Sequence, residues 1–316
     1  MGKVRINLIN SLDFYEKCLL GKVNENSFRY ELMQPMKTMW DYLNVPLKAT
    51  QPNGYDVVMA SEMLGIWTPR KSIQQVEDYL PELIESRIFD EYQEVISKGM
   101  DAFEKIGYSI PLEKIDITIL LGDEDSQEMK VNKGYSGFGG IPGYILLMAV
   151  PNDFNKKRLK SALAHEFNHN VRFTFEPFNH GDVTVEEYIV LEGLAECFAE
   201  EMYGKELIGP WIEDFDQEEM EYSIEVIKEG RKTKGFGEVA AYMFGDEVAK
   251  RQGYSPVGLS GNAGYTIGYH LIKKYLANSN KSIAEATLTP TEEIVSVSKF
   301  FDEPHLQRIG SATTDL

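Results

Sequence analysis

The stretch Ser161-Ala-Leu-Ala-His165-Glu166-Phe-Asn-His169-Asn170 constrains this chain more than any other. It sets an H-E-x-x-H pattern inside a run of helical periodicity. Residues four apart on an α-helix differ by about 40° around the axis, so His165 and His169 face the same way. Two imidazoles stacked in this manner can bind one tetrahedral zinc ion at about 2.0–2.1 Å. Glu166 is their neighbour on the helical wheel, within reach of a water at the metal, and suits a general base. The plain alternative is a pair of ordinary histidines on a solvated helix. The flanks argue against it: Leu159, Leu163, Phe167 and Val171 form an apolar stripe that buries the helix and leaves the histidines at the margin of the buried face.

A hydrolytic zinc site needs three protein ligands and one open position. Cys18 and Cys197 are the only cysteines, so a cysteine-based zinc site is excluded. One established pattern adds a glycine and a third histidine three and six residues after the second histidine. Arg172 and Phe175 stand at those positions here, and the pattern fails. Thr184-Val-Glu-Glu187 reads as a capping box that opens a second helix. That helix carries Leu191-Glu192-Gly-Leu-Ala-Glu196, with Glu192 and Glu196 on one face beside Ala195 and Ala199. Glu192 follows His169 by 23 residues, which leaves room for an antiparallel helix pair. It is favoured as third ligand over His180 and Asp182 in the intervening loop. Glu196, one turn on, suits an acceptor for the free ring N–H of a ligand histidine. Two solvated glutamates are the alternative, and the small residues on their face weigh against it.

H-E-x-x-H followed by E-G-L-A-E resembles the gluzincin group of zinc peptidases. More narrowly, it resembles the YjaZ-like family of predicted Zn-dependent proteases, a family defined as a domain of unknown function. Gly264-Tyr-Thr-Ile-Gly-Tyr269 is similar to that family's downstream G-Y-x-x-G-Y segment. The resemblance covers roughly residues 110–290 and leaves the N-terminal third outside it. It implies one zinc ion per chain, with His165, His169 and Glu192 as ligands and Glu166 as base. Asn168 stands where the family usually has a bulkier residue or a histidine, a position outside the ligand set.

The formal charge of −18 argues against a nucleic-acid partner, which would require a basic patch. Tyr144-Ile-Leu-Leu-Met-Ala-Val150 is among the longest apolar runs and is far too short to span a bilayer. The opening Met-Gly-Lys-Val-Arg-Ile-Asn has no apolar core before a small-residue cleavage site, so no signal peptide and a cytoplasmic location are expected.

Residues 1–110 read as mostly helical. Phe28, Leu32, Met36, Met39, Trp40 and Leu43 recur at helical spacing, interrupted by Pro35. Residues 72–108 predict two further helices with a break near Pro81. The character changes near Pro111: residues 115–121 are β-branched and predict a strand. Gly122-Asp-Glu-Asp-Ser126 lacks a full calcium loop and reads as a solvated turn. The glycine-rich residues 134–143 do not match a phosphate loop and instead suit close backbone approach at an edge strand beside a cleft, leading into a strand over 144–150. The 140–150 strand is a candidate to hold an extended peptide by β-addition. Residues 211–230 and 261–275 predict helices, the second with Gly261, Gly264 and Gly268 for close packing. Tyr265 and Tyr269 share one face of it. Tyr265, ahead of Tyr269 and His270, is the candidate donor to a developing oxyanion; ordinary packing of both tyrosines is the alternative.

The expected protein is α+β and mostly helical: a helical region over residues 1–110, then a zincin-like catalytic region over 111–316 whose small sheet packs on the H-E-x-x-H helix. The expected activity is zinc-dependent hydrolysis of peptide or protein substrates, with no nucleic-acid or membrane partner. Two other classes stay open, a zinc-binding regulator without catalysis and a zinc hydrolase of non-peptide amides. Composition gives no indication of oligomeric state.

Overall fold

Four short strands make one sheet in the order β1-β2-β4-β3, with β1 Arg5–Ile9, β2 Lys114–Leu121, β3 Tyr135–Ile141 and β4 Tyr144–Ala149. β1, β2 and β4 run parallel, and β3 returns antiparallel along β4. These facts come from a computed structural model, which describes residues 4–302 apart from 53, 178, 180 and 214. The fold is mixed α+β and mostly helical. β4 is apolar throughout, β2 is apolar apart from Lys114, Asp116 and Thr118, and both are buried along nearly their whole length, as parallel strands covered on both faces must be.

β1 is an addition to the helical reading of residues 1–110. It has five residues, two of them polar, and only its parallel partner more than a hundred residues away makes it a strand. Asn7 reinforces that pairing through a 2.9 Å hydrogen bond to Asp116. After it the helical pattern holds. Phe28–Met33 is a widened π-helical segment, Gln34–Met36 is a tight 3-10 turn that absorbs Pro35, and Lys37–Tyr42 resumes the α-helix. Phe28, Leu32, Met36, Met39 and Trp40 are all buried.

Helices α1 (Ile73–Glu85) and α2 (Ile88–Lys105) follow. The break lies at Arg87, whose φ of 63° turns the chain left-handed, and Pro81 sits inside α1. Pro81 and Glu77, whose carbonyl loses its helical donor, are both exposed. Water can satisfy that carbonyl, so the proline does not end the helix.

α3 (Leu159–Phe175) carries the two histidines and packs on β3 and β4. Asn152 prepares its entry by accepting hydrogen bonds from the N–H groups of Phe154 and Asn155. Leu159, Leu163, Phe167 and Val171 are buried, as their spacing predicts. α2 crosses α3 where Gly99 leaves room for the Phe167 ring; a Cβ there would stand 2.6 Å from it. Phe103 completes this core, stacking on Phe198 at 5.6 Å and meeting Phe167 edge-on at 6.1 Å.

α4 (Val185–Tyr203) and α5 (Ala263–Ser279) are two further long helices. Thr184 and Glu187 form the expected box: the Glu187 N–H donates to the Thr184 hydroxyl, and the Thr184 N–H and hydroxyl donate to the Glu187 carboxylate. α4 and α5 touch backbone to backbone. A Cβ on Gly193 would stand 2.2 Å from the Gly268 carbonyl oxygen, and one on Gly268 would stand 2.1 Å from that of Ile189. Gly264 is similarly close to Met243, whereas Gly261 meets nothing within 4 Å and lies ahead of the helix. Residues 211–230 form two helices, Pro210–Glu213 and Gln217–Gly230, because Asp216 caps the second with its carboxylate.

The chain divides into two units, Met1–Phe175 with Phe198–Ile208, and Glu176–Cys197 with Gly209–Leu316. Among the described residues, no helix is long and apolar enough to cross a membrane.

Candidate metal centre

On α3 the four-residue spacing brings the two imidazoles together as expected. His165 and His169 have ring centroids 4.7 Å apart and Nε2 atoms 3.0 Å apart. His169 is buried and its ring lies nearly parallel to that of Phe173, while His165 is half-buried. Two nitrogens held by one tetrahedral zinc at about 2.0–2.1 Å stand about 3.3 Å from each other, so the observed pair needs little adjustment to share an ion.

Glu192 is buried on α4. Its carboxylate and the two imidazoles offer one ligand atom each, and these atoms all lie within 4.8 Å of one another. This cluster could bind a metal ion. Two imidazole nitrogens and one carboxylate oxygen form a donor set that suits zinc. Asp182 and Glu196, the other carboxylates of the sequence reading, make contacts of their own. Asp182 pairs with Lys234 at 3.2 Å on the surface, and Glu196 accepts the Gly209 N–H at 3.2 Å. His180 lies outside the described residues.

Glu166 is buried beside the histidines, against the backbone of β3. A Cβ on Gly137 would stand 2.3 Å from its Oε1, and a Cβ on Gly139 would stand 2.3 Å from its main-chain oxygen. The glycines of residues 134–143 therefore do what their number suggests: they let an edge strand lie directly on the helix. β3 is that edge strand, and β4 lies between β2 and β3. Both edges of β4 are filled, so among residues 140–150 the segment Tyr144–Ala149 cannot accept an added strand. The available edge belongs to β3.

Asn170 escaped the sequence reading. It is fully buried, one residue after His169, and binds the β3–β4 hairpin three times. Its Nδ2 donates to the carbonyls of Gly139 (2.8 Å) and Tyr144 (3.0 Å), and its Oδ1 accepts the Gly143 N–H at 2.7 Å. The available signal was an amide on the sheet-facing side of a helix, four residues after Glu166.

On α5, Tyr265 is half-buried, its ring 5.5 Å from that of Trp211 and 6.0 Å from that of Phe244. Tyr269 is buried with its ring 5.2 Å from that of His270. The acidic loop after β2 is not wholly solvated. Asp123 is buried, paired with Lys71 at 2.7 Å and hydrogen-bonded by Gln75 at 3.1 Å. Burial alone would raise its pKa, but the hydrogen bonds and charge of Lys71, with Gln75 and the Asp125 N–H, hold it below the ordinary aspartate range.

Residues 88–296 match the family described as "Predicted Zn-dependent protease (DUF2268)". The chain is 41% identical over 300 residues to the uncharacterized protein YjfC of Bacillus subtilis (strain 168), covering 94% of this chain and 99% of that protein. It is 27% identical over 181 residues to the uncharacterized protein YjaZ of the same organism, covering 56% of this chain and 65% of that protein. No solved structure gives a significant match.

Proposed function

The chain belongs to the family of predicted Zn-dependent proteases (DUF2268), and from that membership we propose that it is a zinc-dependent metallopeptidase of gluzincin type, with zincin-like packing of sheet and helices. His165, His169 and Glu192 would hold one zinc ion. Bound there, zinc would polarise the scissile carbonyl and lower the pKa of a water to about 7. Glu166 accepts a proton from the attacking water and returns it to the departing amine. Tyr265 donates a hydrogen bond to the oxyanion that develops on the carbonyl. The substrate is an extended peptide or protein segment paired along the outer edge of β3. Cys18 and Cys197 are both buried thiols, which suits a reducing compartment, and the cytoplasm is the proposed location.

The observation that carries this reading is the convergence of three buried or half-buried metal-type donors within 4.8 Å, with a buried glutamate next to one of them in sequence. The test is metal content by elemental mass spectrometry on wild type and Glu192→Ala, followed by cleavage of a peptide library with Glu166→Gln as control. One zinc per wild-type chain, largely lost in Glu192→Ala, together with cleavage abolished by Glu166→Gln, supports the proposal. Zinc without any cleavage favours a regulatory metal protein. Cleavage of small amides but not peptides favours an amidase. No zinc in wild type, even after incubation with the ion, removes the reading.

A further inference from the structure

Asn170 and Glu166 are four residues apart on α3 and therefore share the face that meets the β3–β4 hairpin. The strands are irregular there. Phe138 pairs with Leu146 and Ile141 with Tyr144, so Gly139 and Gly140 together stand opposite Ile145 as a bulge. A bulge removes backbone groups from the ladder, and Asn170 supplies the partner for one of them, the Gly139 carbonyl. It also binds the turn, through the Gly143 N–H, and the first residue of β4, through the Tyr144 carbonyl. A single buried amide thus grips the hairpin on both sides of its turn.

The place of that grip matters because of what lies beside it. Gly137 and Gly139 are the residues on which the Glu166 side chain and backbone rest. A slip of one residue along β3 would turn Phe138 toward α3 in place of a glycine. No ring fits where even a single added carbon would stand 2.3 Å from Glu166. We infer that Asn170 is a positioning residue: it fixes the register of β3 on α3, and so fixes both the seat of the Glu166 carboxylate and the edge presented to substrate. The inference rests on the reading of Glu166 as base and of β3 as the substrate edge. The clamp itself is a statement about this chain's own residues.

The experiment compares wild type with Asn170→Ala and Asn170→Asp. The carboxylate of the second variant would retain the acceptor for the Gly143 N–H but lose both donated bonds. Zinc content by elemental analysis should match wild type in both variants. Exchange of the Gly143 amide, followed by NMR, should quicken by about tenfold in Asn170→Ala and change less in Asn170→Asp. Turnover of a peptide cleaved by wild type should fall by about tenfold or more in kcat/KM, with zinc still bound. A further arm is independent of turnover. Gly139→Ala should lower Tm in wild type and lower it less in an Asn170→Ala background, where the hairpin is free to move away from α3. Unchanged Gly143 exchange overturns the inference, as do additive Tm shifts, zinc lost with the amide, or unchanged turnover with exchange quickened. If wild type cleaves no peptide, the peptidase reading fails by itself, and the exchange and Tm arms still decide whether Asn170 is the clamp.

Discussion

Gly137 and Gly139 lie two residues apart on the same face of β3, and replacing each with alanine should produce opposite phenotypes. At Gly137 the new methyl would stand 2.3 Å from Glu166 Oε1 and 2.5 Å from its Cδ and Cγ, where ordinary contact begins at 3.4 Å. The end of the glutamate side chain must therefore retreat by about 1 Å, and for the base proposed here a displacement of that size costs roughly a hundredfold in rate. The retreat costs little stability, because a flexible side chain gives way. At Gly139 the methyl would stand 2.3 Å from the Glu166 main-chain oxygen and 2.9 Å from its carbonyl carbon. A helix backbone cannot yield locally, so strand and helix must separate, at about 1–3 kcal/mol of overpacking. The assay pairs urea unfolding with cleavage of a peptide substrate and zinc analysis. Gly137→Ala should keep its zinc and its unfolding midpoint while losing about two orders of magnitude in kcat/KM. Gly139→Ala should unfold earlier. Full activity in a folded, zinc-loaded Gly137→Ala protein would refute the claim that the Glu166 carboxylate must occupy this seat.

Metal should report on folding as well as on turnover. Free zinc at a hundred times its dissociation constant should stabilise wild type by about 2.7 kcal/mol, seen as a raised Tm that Glu192→Ala does not share. Asp123 should contribute to acid sensitivity. Its folded pKa lies below the unfolded one, so its stabilisation is complete above about pH 4 and is lost as pH falls through the folded value. Asp123→Asn should therefore flatten the fall in stability below about pH 4 seen by circular dichroism, and an unchanged acid limb would count against the Lys71 pairing. Gly268→Ala would put a methyl 2.1 Å from the Ile189 carbonyl oxygen and should lower stability by about 1–3 kcal/mol in urea unfolding.

What was legible in the chain followed from local rules. The stripe Leu159–Leu163–Phe167–Val171, the Thr184–Glu187 box and the histidine spacing each need only a few neighbouring residues and the helical repeat. The glycine-rich edge strand was legible too, because few other purposes suit so many glycines in ten residues. What stayed hidden depends on distant partners. β1 is a strand because residues 114–118 lie beside it, and Asp123 is buried because Lys71 and Gln75 arrive from about fifty residues away. Pro81 misled because the pattern marks a proline but not the side of the helix on which it falls. Asn170 was passed over because its hydrogen bonds go to carbonyls and an amide, which carry no side-chain signature. The strand order β1-β2-β4-β3 likewise decides which strand is open at its edge, and that order is written in no single segment.

The contact between Gly193 and Gly268 has a mechanical consequence. Two helices that touch through bare backbone have no side-chain layer to shear, so they have little freedom to slide or roll against each other. Glu192 precedes one of these glycines by a single residue, and Tyr265 precedes the other by three. The carboxylate proposed to hold the metal and the phenol proposed to meet the oxyanion are therefore mounted on one stiff bracket. Whatever displaces one displaces the other by nearly the same vector. Tuning of their separation is left to side-chain rotation, and a loosened bracket should blur both functions together rather than one at a time.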